Sequence, residues 1–445
     1  MTPPAAERRH SPPPQPSPAS RGGRRKGARD YVIAVRKTDI LDALIEHGRL
    51  AEKTERDQYR QLCRLLAAIF HYEYFGELER LRDDYFYFNP EIDPHARFDP
   101  ATLERAYADL VASLAGVLKD ANFVEMSHAE IEAAHRERLV MRVEIKAPLD
   151  DYREVRIFRR GRHIETLETS EWFGLRRRAH EVTVHDDVVL FVAVKPETDI
   201  ASKRERKRLK RREIRPGSVL IKYFRNIAGI DLNALFPDVR VVMSLWDKLV
   251  LGGPALAGGI PILLKLASTI TVLFLVIGFY LGLTAAVKDE QMPAALAALS
   301  GLVALGGFIM RQWLRYQRQS LRYQKDLSDN VYFRNVNNNA GIFDYIIGAA
   351  EDQECKEVFL AFYFLCTAAH PPTRAELEDL IEDWLKQTFG VELDFKVDEA
   401  LARLERLRLL KRQGERLVVV PLDAALERLD EVWGSYFKAK APAVG

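Results

Sequence analysis

Two uncharged apolar runs near the middle of the chain constrain it more than any other feature. They cover residues 266–287 and 292–310, 22 and 19 residues long, with only Lys288, Asp289, Glu290 and Gln291 between them. As helices they would measure about 33 and 28 Å, close to the roughly 30 Å hydrocarbon core of a bilayer. The pattern predicts a two-helix transmembrane hairpin, with spans at 262–287 and 292–310. Arg311, Arg315, Arg318, Arg322 and Lys325 follow the second run, and Lys248 and Lys265 flank the first. Basic flanks stay on the cytoplasmic side, so both soluble parts are expected to face the cytoplasm. The expected location is a multi-pass integral membrane protein, of the cytoplasmic membrane in a bacterium or a mitochondrial membrane in a eukaryote. Neither run has an ionisable residue at its centre, which argues against a pump or an ion pore.

The hairpin divides the 445 residues. Residues 1–29 read as a disordered basic tail, with seven prolines in the first twenty positions and Arg21, Arg24, Arg25, Lys26 and Arg29 behind them. A mitochondrial presequence is the alternative, against which the prolines weigh. Residues 30–243 read as an α+β domain. Apolar residues recur at helical spacing near 38–47, 54–70 and 100–118, and Ser127 with Glu130 forms a capping box. The period then switches to two around Val143, Val155, Val182 and Val219, which indicates an antiparallel sheet. Gly161 and the run His185-Asp186-Asp187 read as turns, and the wholly apolar stretch 188–194 as a central buried strand.

Residues 244–261 suit an interfacial amphipathic segment anchored by Trp246, and 311–330 a basic juxtamembrane helix. Residues 331–437 give three helices followed by a short β segment, the order of a winged-helix-like domain, and 438–445 a tail. The net charge is only +2, so any basic patch is local. Cys63, Cys355 and Cys366 contain no C-x-x-C pair and read as free thiols of a reducing compartment.

One basic patch stands out. Residues 203–215 hold nine basic and two acidic residues. A solvated excursion is one reading. Contact with anionic lipid headgroups through Arg206, Lys207, Arg208, Lys210 and Arg211 is the sharper one. Nucleic acid fits less well, because no aromatic residues interleave the charges. In the apolar runs, Gly278 with Gly282 and Ala297 with Gly301 form small-residue faces for helix packing. Packing within the hairpin is the first reading and homodimerisation the second.

Catalytic signals are weak. His128, Glu132 and His135 share one helix face, but a carboxylate-bridged metal pair needs a second such element and further glutamates. Solvent-facing polar side chains on that helix explain the cluster better. His71 with Glu73 and Glu77 reads as a hydrogen-bonded histidine among aromatics. No H-E-x-x-H, G-x-S-x-G or P-loop string occurs, so no catalytic residue, metal site or cofactor is assigned. In the winged-helix-like part, Glu376, Glu378, Asp379, Glu382 and Asp383 outweigh Arg374 and Lys386. This favours a protein partner over DNA.

Four stretches carry a family likeness: YVIAVRKTDIL at 31–41; NFVE at 122–125; LIKYFRNI at 220–227 with DLNALFP at 231–237; and NNNAG at 337–341 through AEDQECKE at 350–357 and AFY at 361–363. In this order the chain resembles the transmembrane protein 143-like family, a domain of unknown function, over roughly residues 30–437. It departs from the pattern at Ala34, where a proline is expected. The resemblance implies an integral membrane protein, mitochondrial in animals, and transfers no activity and no site. The leading expectation is a non-enzymatic, membrane-anchored scaffold with a protein partner. A membrane-associated enzyme is second and a tethered nucleic-acid-binding regulator third.

Overall fold

The structure, a computed structural model, describes residues 31–92, 98–127, 129–131, 143–146, 152–171, 176–200, 214–229, 240–243 and 291–437, with a few single residues between them. Three helices open the chain: α1 (Lys37–Glu46), α2 (Lys53–Phe86) and α3 (Pro100–Asp120). The 34-residue α2 runs on well beyond the helical spacing near 54–70, through Tyr72, Tyr74, Phe75 and Tyr85. Tyr74, Leu78, Leu81 and Tyr85 prolong the buried stripe of Leu62, Leu66 and Phe70, so the apolar face never lapses. On α3, Asp99 caps the helix by accepting from the Ala101 and Thr102 amides, and Pro100 supplies the preset φ of the first turn.

Strands β1 (Val124–Glu125), β2 (Val143–Lys146), β3 (Tyr152–Glu171), β4 (Arg176–Val194), β5 (Val219–Ala228) and β6 (Arg240–Met243) follow. Then come helix α4 (Gln291–Arg334), strand β7 (Asn335–Asn338), and helices α5 (Gly341–Cys366), α6 (Arg374–Phe389) and α7 (Val397–Arg406). The hairpin β8 (Leu410–Gln413) and β9 (Arg416–Val419) precedes the last helix, α8 (Leu422–Tyr436). Among the described residues the main sheet is antiparallel, in the order β1-β3-β4-β5-β7, and β2 pairs with β6 apart from it. The fold is thus α+β with an antiparallel sheet. Residues 188–194 of β4 are buried between β3 and β5.

Two turn assignments are corrected. β3 runs through Gly161, and β4 runs through His185, Asp186 and Asp187. Gly161 sits at φ +67°, and a Cβ there would lie 2.7 Å from the Asp186 Cβ. The glycine therefore marks a close approach inside a long hairpin, not its end.

The transmembrane hairpin is also corrected. Among the described residues no helix is long and apolar enough to cross a membrane. Residues 292–310 are the start of the 44-residue α4, which continues unbroken into its charged second half. The run lacks charge, but alanine and glycine occupy much of it, so it is less apolar than its length suggests. The multi-pass integral-membrane location rested on this hairpin and is withdrawn with it. The first run, 262–287, lies outside the described residues apart from Gly278, as do residues 1–29, 244–261 and 438–445.

One hydrophobic core joins the two ends of the chain. Residues of α1, α2 and α3 share it with α5, α6, α7 and α8, and Phe158, Phe191 and Ile221 bring the sheet against it. α5 is the axis of this core. Every residue from Gln353 to Leu365 is buried, whichever way it points around the helix. A helix buried all round is normally apolar all round. This one carries Gln353, Glu354, Lys356 and Glu357.

Candidate functional site

The buried charges on α5 form a polar site with residues from both ends of the chain. The Ile33 amide donates to Gln353 Oε1 (3.1 Å), and Lys356 Nζ donates to the Ile33 carbonyl (3.0 Å). Lys356 also pairs with Asp352 at 2.5 Å. Asn122 Nδ2 donates to Glu357 Oε1 (2.9 Å) and to the Tyr31 carbonyl (3.2 Å). Asn122 is 1 % exposed and left-handed at φ +63°. Asparagine tolerates that conformation better than most residues do. Burial penalises a charged carboxylate here, and it raises Glu357 to about 8.

One turn earlier on α5, Glu354 meets Arg403 of α7, which also donates to Asp120 Oδ2 at the end of α3 (3.2 Å). Tyr74 of α2 donates to the same Asp120 oxygen (3.3 Å). Burial raises Glu354 to about 7 despite the opposing arginine, and Asp120 adds to the rise by repulsion. Arg406, one turn along α7, grips Glu73, to which Tyr436 also donates at 2.6 Å. A cavity of about 260 Å³ lies between α3, α5 and α7, lined by Asp120, Glu354, Glu357, Glu399, Arg403 and Arg406. A second, of about 490 Å³, opens on the α2 side between Tyr72, Tyr74 and Tyr436. With burial raising Glu354 to about 7 and Glu357 to about 8, these carboxyls could give or take a proton in such a space. Yet each acid lining the smaller cavity is engaged: Asp120 and Glu354 by Arg403, Glu357 by Asn122, and Glu399 by Lys119 and Lys396.

A second edge of the molecule is joined by asparagines. Asn337 Nδ2 donates to the Gly341 carbonyl (2.8 Å), and the Asn339 amide donates to the Ile221 carbonyl (2.8 Å). Asn339, at φ +53°, reaches Glu91 with its side chain at 2.6 Å. These contacts fix the passage from α4 through β7 into α5.

The third feature is α4 itself. Leu296, Leu299, Val303, Met310 and Trp313 are all exposed, with Val303 at 68 %. Gly306 stands in the same series, with open space around it. The spacing alternates three and four, the seam of a coiled coil. Gly301 and Phe308, seven residues apart on the opposite face, are half-buried.

The residues singled out from sequence are spread across the chain. Arg206 and Lys207 are exposed on helical residues beside the buried Leu209, while Arg208, Lys210 and Arg211 lie outside the described residues. Gly278 is helical and half-buried, and Gly282 lies outside the described residues. Ala297 and Gly301 lie on α4 but off the exposed seam. His128, Glu132 and His135 lie outside the described residues. His71 pairs with Glu351 at 2.9 Å, while Glu73 turns to Arg406. The polar site was not assigned from sequence, although three of the four family-like stretches meet in it, at Tyr31 and Ile33, at Asn122, and at Gln353 to Glu357.

A family model described as a protein of unknown function (DUF3754) matches residues 185–341. The match runs from His185 on β4 to Gly341 at the head of α5, and so takes in α4 and the asparagine-rich passage. No solved structure matches the chain.

Proposed function

We propose that the chain is a non-enzymatic interaction protein of the transmembrane protein 143-like family, in which a folded head presents α4 to a protein partner. The exposed apolar seam of α4 carries this reading. At 44 residues the helix is about 66 Å long. Among the described residues its main contacts are with β5, β6 and β7, and Leu296, Leu299, Val303, Met310 and Trp313 stay exposed. Contiguous apolar surface of this kind marks an interaction site in a folded protein. The carboxyls of the internal cavity support the same reading, since their neighbours already engage them and they stabilise the packing of α7 on α5.

A photo-reactive amino acid placed at Leu299, Val303 or Met310 tests the proposal in cells that express the full chain. Protein adducts are expected at these positions and not at Ala297, which is exposed on another face of the same helix. Equal labelling at Ala297, or no adduct at any seam position, would overturn it.

A further inference from the structure

We infer that the groove between β1 and the helices α6 and α7 seats the chain's own basic segment, residues 21–30. The inference is independent of the reading of α4. The groove, of about 600 Å³, has the buried rings of Phe123, Phe158 and Phe395 in its lining. Tyr31, where the described chain begins, is one of its walls, so the residues before Tyr31 leave from the groove itself. Asn122 donates to the Tyr31 carbonyl (3.2 Å). A chain running back from there past residues 123–125 lies antiparallel to β1, which is the edge of the main sheet. The Met126 amide donates to the Ile157 carbonyl (2.8 Å). An antiparallel ladder alternates, so Glu125 turns its own N–H and C=O outward. Residues 19–30 contain no proline and can each bring an N–H to this edge, whereas seven prolines crowd the first eighteen residues.

Charge selects the occupant. The groove walls hold Glu125, Glu378, Asp394, Asp398 and Glu399 against Lys119, Arg374 and Lys396. Those three cations are engaged, Arg374 by Asp398 and Glu378, and Lys119 and Lys396 by Glu399. Asp394 has no cation among the described residues, and its carboxylate lies within 4.8 Å of those of Glu378 and Glu382. Repulsion from these two neighbours adds to the burial that raises Glu378. The segment 21–30 brings Arg21, Arg24, Arg25, Lys26 and Arg29 against a single acid, Asp30. Arg29 stands two residues before Tyr31, about 7 Å of extended chain, so its guanidinium reaches across the groove to Asp394 and supplies the missing charge-assisted bond.

Brief trypsin digestion of the full chain, read by the mass of the released N-terminal fragments, tests the inference. Cleavage after Arg9, outside the segment, is the internal reference, and a synthetic peptide of residues 1–30 gives the intrinsic ratio of the sites. Relative to that ratio, cleavage after Arg25 and Lys26 is expected to be about tenfold slower in the full chain, because proteolysis follows the population of the open segment. Asp394→Lys is expected to bring the ratio close to that of the peptide. Asp394→Asn, which keeps the size of the side chain and so spares the fold, moves it the same way by a smaller step. Raising the salt from about 0.1 to about 1 M does so without any substitution, as the Debye length falls from about 10 to about 3 Å. A parent chain that cleaves in the peptide's ratio would overturn the inference. Protection that survives both the salt and Asp394→Asn would overturn it too, since charge would then not hold the segment. Protection that fades on dilution would place the segment in the groove of another copy and equally refute seating within one chain.

Discussion

Asn122 and Glu357 lie 235 positions apart in the chain, yet the asparagine Nδ2 donates to the glutamate Oε1 at 2.9 Å inside the core. The bond links the turn after α3 to the middle of α5. It forms only when the helices before the sheet and the helices after α4 are folded together. The same asparagine holds the Tyr31 carbonyl, so the chain's first described residue is tied to the same point. The polar site works as a clasp between two sequence-distant halves.

Asn122→Ala is expected to destabilise the protein by about 2–4 kcal/mol. It removes a buried donor from Glu357 and places a Cβ residue that disfavours φ +63° in a left-handed position. Asn122→Gly removes the same hydrogen bonds without the conformational penalty, so it should cost about 1–2 kcal/mol less. Urea unfolding of the two variants measures the difference. Equal losses would place the whole effect in the hydrogen bonds.

Glu357 and Glu354 give stability a pH dependence of definite sign. Burial raises their folded values to about 8 and about 7, from 4.5 in the unfolded chain. Below pH 4.5 both states hold the proton and these groups contribute no slope. Between 4.5 and about 8 the folded state holds more protons than the unfolded state, so their contribution falls as pH rises. Glu357→Gln removes one of the two titrations. Its stability relative to the parent is expected to improve steadily from pH 5 to pH 8, and to level off above that. Parallel stability curves for parent and variant would show that Glu357 is not the titrating group.

The asparagine passage between β7 and α5 should tolerate little. A Cβ at Gly341 would lie 2.6 Å from Asn337 Oδ1 and 2.9 Å from its Nδ2. The Asn337 side chain is held by its bond to the Gly341 carbonyl and accepts from the Asn338 amide at 2.8 Å. Gly341→Ala must break one of these contacts, at about 1–3 kcal/mol. The paired change Gly341→Ala with Asn337→Ala relieves the clash and should cost less than the sum of the two single changes. Thermal unfolding of the four chains reads the coupling.

Much of this architecture was legible locally. Thr373 and Glu376 form a capping box and Gly390, left-handed at φ +67°, stops the helix, so both ends of α6 are set by residues local to it. The alternation around Val155 and Val219 gives the antiparallel strands, because a half-buried sheet imposes that period. The second apolar run, 292–310, misled, since absence of charge resembles a membrane span even where alanine and glycine dilute the apolar surface. The polar site was hidden for another reason. Its members sit near residues 31, 122, 354 and 403, and no local pattern brings such positions together. One signal was present: charged residues at 351–357 lie directly before the uncharged run 358–366 of the same helix. Such residues must be paired by something distant, and Asn122 and Arg403 are those partners.

Arg403 offers the sharpest test of how α7 is held. Its guanidinium contacts Glu354, 6 % exposed at the side chain, and Asp120, 30 % exposed. Replacing it with methionine preserves much of the apolar stem but leaves both acids without their cation. Breaking such a pair from one side typically costs about 3–5 kcal/mol when both members are buried. Solvent reaches Asp120 and Arg403 in part, so about 2–4 kcal/mol is expected here. Glu354 can take up a proton to escape the unpaired charge, so the loss should be smaller at pH 5 than at pH 8. Adding Glu354→Gln to Arg403→Met should recover part of the loss at pH 8, where the lone carboxylate is most costly, and little at pH 5, where it is already neutral. Denaturant unfolding of the parent, the two single variants and the double variant at both pH values gives the coupling energy directly. A coupling that does not change with pH would mean that Arg403 acts through its stem packing on α5 and not through its charge.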